Sequence, residues 1–287
     1  MLGSLVIAYL FLGGAAGGTF FVISAWSIAH FSIPRPERLT HDFKNLQRYT
    51  YLSAFILLVT SLVCLLWDLG QPSRAFLIFL LPHPTPLTFG AYSLLILALF
   101  GGALAIIHLF DFQTLHRHTY IILEICCCIA SLAVICYTAV YLMSSQIALW
   151  KPPELIGLFL FSSLSSGFAI TMLASYVLRS ETLEIQTIKP LQTLHVICLI
   201  SEVIFLVFYI MNVLSNSAAS GSIALLTDPG MLSFMGIGVV VFGMVFPITA
   251  ESYSLFMRDY RSIPASDAAC LIGGLILRYV IISCGIL

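Results

Sequence analysis

Residues 119–143 read TYIILEICCCIASLAVICYTAVYLM, with Glu124 as their only formally charged side chain. A hydrocarbon layer about 30 Å thick needs roughly 20 apolar residues of helix to cross it. The apolarity is continuous rather than alternating in steps of two, which argues against a strand of a membrane barrel. The stretch reads as a transmembrane helix. Seven further windows repeat it, near 5–31, 49–67, 88–110, 155–178, 191–214, 231–256 and 268–287. The sequence therefore predicts an all-α integral membrane protein of eight transmembrane helices. They are expected to form two four-helix bundles, over 1–150 and 151–287.

Composition agrees. Of 287 residues, 60% are hydrophobic and only 9% charged, where a soluble domain carries roughly 25% charged residues. The net charge of −1 leaves no basic excess for a nucleic-acid surface. No Lys or Arg precedes the first apolar run, so that run reads as a retained helix rather than a cleavable signal peptide. All eight Cys fall inside apolar stretches without CxxC spacing, which supports neither a disulfide framework nor a cluster ligated by this chain.

Charge is distributed unevenly between the two sides. After the first, third, fifth and seventh windows come Arg35, Arg38, Lys44, Arg48, Arg117, Arg179, Lys189, Arg258 and Arg261. On the other side stand only Arg74 and Lys151. The positive-inside rule then puts both termini outside. That outer side would also carry residues 68–87, DLGQPSRAFLIFLLPHPTPL, which are too proline-broken to span and too apolar at Ala75–Leu81 for a free loop. They read as a segment that docks a partner or lies in the interface.

Four separated motifs give the chain a resemblance. They are Leu10-Phe11-Leu12-Gly13-Gly14-Ala15-Ala16-Gly17-Gly18, then Trp67-Asp68-Leu69-Gly70-Gln71-Pro72-Ser73-Arg74, then Tyr137-Thr138-Ala139-Val140-Tyr141-Leu142 with Leu149-Trp150, and Gly273-Gly274-Leu275-Ile276-Leu277-Arg278-Tyr279. In this order, on eight helices, the chain resembles the NrfD/PsrC family of membrane anchors of respiratory molybdoenzyme complexes. Two positions depart from the usual pattern. Ala139 stands where Gly is common, and Gln71 where a basic residue is common.

The resemblance implies a quinone-reactive subunit of the bacterial cytoplasmic membrane without haem, with menaquinone ahead of ubiquinone. It implies an iron–sulfur partner docked on the outer face near 68–87, and a molybdopterin catalytic subunit beyond it. Asp68 and Tyr137 would then be the catalytic pair: a carboxylate can take a proton from a quinol, and a tyrosine can donate to a quinone carbonyl. Gly17, Thr19, Arg74, Tyr137 and Tyr141 would line the ring.

Ionisable groups deep in the apolar windows form a second set. A charge at mid-membrane costs at least about 2.5 kcal/mol on insertion scales, so pairing or hydration is expected. Glu202, His195, Arg278, Glu124 and Glu251 are the candidates for a proton path, against the plainer reading of a buried Glu202–Arg278 ion pair. No metal site is expected. His108 and His195, at roughly similar depth, are a pair that a single haem would suit. A secondary transporter is the rival from another class, and would show broken helices at equivalent places in two halves. The one mid-helix proline, Pro247, has no counterpart in the third window.

Overall fold

In a computed structural model, residues 4–31, 37–68, 85–110, 117–178, 188–257 and 263–285 are described. Among them, eight helices are long and apolar enough to cross a membrane, and no strand occurs. We number these α1 (Ser4–Phe31), α2 (Glu37–Asp68), α3 (Pro86–Leu109), α4 (Arg117–Met143), α5 (Glu154–Leu178), α6 (Lys189–Ser215), α7 (Pro229–Met257) and α8 (Pro264–Ser283).

Helix α2 begins twelve residues earlier than its apolar window, so Lys44 and Arg48 lie on a helix and not in a loop. The cause is an apolar stripe within the charged stretch. Phe43 and Leu46, one turn apart, are buried against Trp26 of α1 and Ala174 and Leu178 of α5. Packing extends the helix past the hydrocarbon length. Three elements escape the window reading altogether: 3₁₀ turns at Ala148–Trp150 and Ser217–Ala219, and a short helix at Ser220–Leu226.

Helix α1 is central, packing on α2, α4 and α5 and also touching α8. Helix α3 lies against α2 and α4, α6 and α8 pack on α5, and α7 packs on α8 and α6. The glycines of α1 allow this crowding. A Cβ on Gly18 would lie 1.9 Å from the Ser163 carbonyl oxygen, and one on Gly167 of α5 would lie 2.3 Å from the Gly18 carbonyl carbon. The two backbones touch directly, as small residues permit in lipid where no hydrophobic force drives association.

Helix α7 is irregular. Phe234–Val245 runs as π-helix and ends just before Pro247. The Phe246 N–H bonds the Val241 carbonyl, and the next residue has no N–H to continue either ladder. Gly243 in this stretch meets Gly273 of α8 backbone to backbone, the Gly243 Cα lying 2.1 Å from an ideal Gly273 Cβ. The third helix carries no matching break and is α-helical throughout.

The Leu149-Trp150 motif pins the ends of the helices on one side. Trp150 Nε1 donates to the Ile281 carbonyl at 2.9 Å, and the Tyr209 hydroxyl donates to the Leu149 carbonyl at 3.0 Å. These bonds tie the α4–α5 connection to α8 and α6.

Candidate functional site

Tyr137 sits on α4, facing α3 and α1, and is 2% exposed. Its ring lies against Gly90 of α3 so closely that an added Cβ there would be 2.1 Å from Tyr137 Cε2. Its hydroxyl lies within interaction range of Tyr9 of α1, itself buried. One turn further along α4, the Tyr141 ring centroid is 6.4 Å from that of Tyr137. Tyr9 and Tyr141 both lie within electrostatic reach of Asp68, the last residue of α2. Exposure rises along this row from buried Tyr137 and Tyr9, through half-buried Tyr141, to exposed Asp68 and a Trp67 that is 76% exposed.

Gly17 and Thr19 of the expected ring-lining set face other groups. A Gly17 Cβ would meet Ile135 Cγ1 at 3.2 Å and the Ser131 carbonyl at 3.4 Å, so this glycine packs α1 on α4. The Thr19 hydroxyl donates to the Ala15 carbonyl at 2.7 Å, ten residues and about 15 Å along the helix from Tyr9. Arg74 lies outside the described residues.

The deep ionisable groups of the second half form a chain of contacts. His195 Nδ1 of α6 lies 2.8 and 3.0 Å from the two Glu251 carboxylate oxygens of α7. Ser266 of α8 donates to Glu251 Oε1 at 3.4 Å, and Cys270 Sγ lies 3.6 Å from His195 Nε2. One carboxylate oxygen of Asp267 completes a group with His195 and Glu251 whose ligand-type atoms all fall within 4.8 Å of one another. Two turns along α6, Glu202 accepts from the Ser165 hydroxyl at 3.0 Å. Arg278 donates to Ser163 at 2.7 Å, and to Ser162 and the Gly274 carbonyl at 3.2 Å each. Its guanidinium also lies over the rings of Phe11 and Phe159, 5.6 and 5.1 Å from their centroids.

The plainer alternative, a direct Glu202–Arg278 ion pair, is not what the structure holds. Among the described residues no direct pair joins them; Ser162 and Ser165 of α5 stand between the carboxylate and the guanidinium. The physical reason is reach. Arg278 is held on the α1 side of α5 by Ser163 and the space that Gly14 leaves, where an added Cβ would be 2.9 Å from Arg278 Nη2. Hydroxyls then solvate both charges in place of water.

Glu124 does not join this chain. It is buried with α1 and α2, where Tyr51 donates to it at 3.4 Å and Ser24 bonds the Tyr51 hydroxyl at 3.0 Å. The same region holds Gln47, which donates to Ser27 and Tyr120. His108 bonds Tyr120 through Nε2 and the Leu104 carbonyl through Nδ1, and its ring stacks on Tyr51. Both ring nitrogens of His108, like both of His195, thus face protein groups.

Three kinds of participant escape sequence reasoning. Tyr9 immediately precedes the glycine motif of α1, Gly90 has no distinguishing neighbours, and Ser162, Ser163 and Ser165 sit in the run SSLSSG. That serine run was the available signal, since so many hydroxyls in a span serve either close packing or buried charges.

The fold and its buried ionisable groups define a multi-pass, all-helical membrane subunit. Residues 1–287 match the family described as "Polysulphide reductase, NrfD", and the chain belongs to that family. Comparison with curated proteins found no match. The family comprises membrane anchor subunits of respiratory oxidoreductases, which pair with iron–sulfur and molybdoenzyme subunits.

Proposed function

We propose that this subunit exchanges electrons between the membrane quinone pool and an iron–sulfur partner, at a site formed by Tyr137, Tyr9, Tyr141 and Asp68. The observation that carries this reading is the row of phenols formed by buried Tyr9 and Tyr137 and half-buried Tyr141, leading to Asp68 at the end of α2. A phenol both donates and accepts. With Tyr9 donating to Tyr137, the Tyr137 proton is left to hold a quinone carbonyl. Gly90 leaves room for the Tyr137 ring and fixes its plane.

The exposure gradient fits an amphipathic substrate. A quinone headgroup entering past Trp67 and Tyr141 leaves its isoprenoid tail in lipid and brings its ring to buried hydroxyls. In the oxidising direction a quinol gives up two electrons and two protons. Asp68 is the first proton acceptor, being the carboxylate within reach of the tyrosine row and itself exposed to water for release. A tyrosine with an unperturbed pKa near ~10 is a poorer base at neutral pH, so Tyr137 positions the ring. The two electrons pass to the iron–sulfur partner docked on this side. Menaquinone is the favoured quinone, the membrane is the bacterial inner membrane, and the Asp68 side faces outward.

The test is Tyr137→Phe in the assembled complex. It keeps the ring on Gly90 and deletes one donor. Quinol-dependent turnover should fall at least ~10-fold, equivalent to roughly 1.4 kcal/mol, with partner subunits still bound. Wild-type quinol kinetics in that variant would overturn the assignment.

A second reading concerns protons. The Ser165 hydroxyl on Glu202 and the Ser162 hydroxyl on Arg278 support a short proton route there, which requires the Ser165 hydroxyl to turn from the Ser162 carbonyl toward the Ser162 hydroxyl.

A further inference from the structure

The geometry points to a divalent metal site at His195, Glu251 and Asp267, with a first-row ion such as Zn²⁺ or Mn²⁺ as the ligand. Three helices, α6, α7 and α8, each send one donor to the same point. All three side chains are nearly or wholly sealed, at 0%, 1% and 1% exposure.

Two carboxylates brought together away from water repel one another and lose hydration. Hydrogen bonding within the protein satisfies Glu251, through His195 and Ser266, but not Asp267. Asp267 Oδ2 is buried and has no hydrogen-bond partner. His195 Nδ1 lies 2.8 and 3.0 Å from the Glu251 oxygens. That separation is also close to the spacing of neighbouring ligand atoms around an ion with bonds of about 2.0–2.2 Å. A cation would take up the orphaned Asp267 oxygen and both partners at once.

The ionic balance of the region agrees. Its buried acids are Glu202, Glu251 and Asp267, and its one permanent cation is Arg278. A divalent ion brings three carboxylates and one guanidinium to neutrality with the imidazole uncharged, the form that binds metal. One imidazole and two carboxylates form a mixed nitrogen and oxygen set, which suits Zn²⁺, Mn²⁺ or Fe²⁺ better than thiolate-seeking ions. His195 Nε2 faces Cys270 Sγ at 3.6 Å. That contact fixes the ring and leaves Nδ1 for the ion, as an outer partner does for most metal-bound histidines. The site is independent of the quinone reading and lies in the other half of the chain.

The full-length protein, purified in detergent and stripped with a chelator, would be titrated with Zn²⁺ and, separately, with Co²⁺ as a spectroscopic probe. One Zn²⁺ per chain is expected, with visible Co²⁺ bands of a low-symmetry N/O site that Zn²⁺ displaces. Asp267→Asn and Glu251→Gln should each weaken Zn²⁺ binding at least 10-fold. Glu124→Gln, which removes a buried carboxylate elsewhere, should leave it unchanged. Failure of the unaltered protein to bind Zn²⁺ or Mn²⁺ at one per chain, or Zn²⁺ affinity indifferent to both acidic substitutions, would overturn the site. Quinol turnover does not enter the readout, so the two assignments fail separately.

Discussion

Gly90 and Tyr137 are in mutual contact: the glycine presents bare backbone to the face of the phenol ring, and a methyl group there would overlap Cε2 at 2.1 Å. The ring position is thus set from α3, while Tyr9 of α1 lies beside the hydroxyl. Three helices place one functional group.

Gly90→Ala is therefore expected to act like a displaced Tyr137. The ring must move, and misplacement by about 1 Å can cost on the order of 100-fold in rate. Quinol turnover measured on the assembled complex should drop more than in Tyr137→Phe, where only a donor is lost. Equal turnover in Gly90→Ala and wild type would show that the ring position does not matter.

The backbone contact between α1 and α5 makes a contrasting demand. Gly18→Ala forces a methyl group to within 1.9 Å of the Ser163 carbonyl oxygen, so the helices must separate. Overpacking of this kind costs about 3 kcal/mol. Thermal unfolding of the detergent-purified protein should show a clear drop in Tm. Gly221→Ala, with nothing within 4 Å of its added methyl, should be neutral or stabilising by about 0.5–1 kcal/mol through helix propensity.

The eight spans were legible because hydrocarbon demands continuous apolarity, a signal that local structure cannot disguise. The start of α2 was not. Phe43 and Leu46 carry the helix beyond the membrane by packing on Trp26 and Leu178, residues far away in sequence. The site divides in the same way. Tyr137 and Asp68 stand out by type and motif, and His195 and Glu251 by charge in apolar surroundings. Gly90 and Tyr9 matter only through what faces them, and Asp267 reads in sequence as an ordinary acid in the first turn of a helix. Serines 162, 163 and 165 became meaningful once Glu202 and Arg278 were found on opposite sides of them.

Sidedness has its own test. The electrostatic proximity of Tyr9, Tyr141 and Asp68 puts the start of α1, the end of α2 and the end of α4 on one side. By the positive-inside rule, the excess of Lys and Arg toward the opposite side predicts that this side is the outer one. Alkaline phosphatase fused after Leu287 should be active, and a fluorescent protein that folds only in the cytoplasm should stay dark there. The reverse pattern would move the partner to the inner face.

The bridged arrangement of Glu202 and Arg278 separates two roles by substitution. Glu202→Gln removes a charge but keeps a hydrogen-bonding group toward Ser165, so the serine contact survives. Arg278 retains Ser162, Ser163 and the Gly274 carbonyl in either case. A direct ion pair broken from one side would cost about 3–5 kcal/mol and impair assembly. With serines interposed, the loss should be smaller, and the Glu202→Gln complex is expected to assemble and bind its partners. If the carboxylate carries protons, coupled proton uptake should slow at least ~10-fold in that complex. Ser165→Ala, which deletes the bridging hydroxyl and leaves the charge, should slow it in the same direction. Unchanged proton uptake in both assembled variants would remove the relay and leave Glu202 as a structural counter-charge.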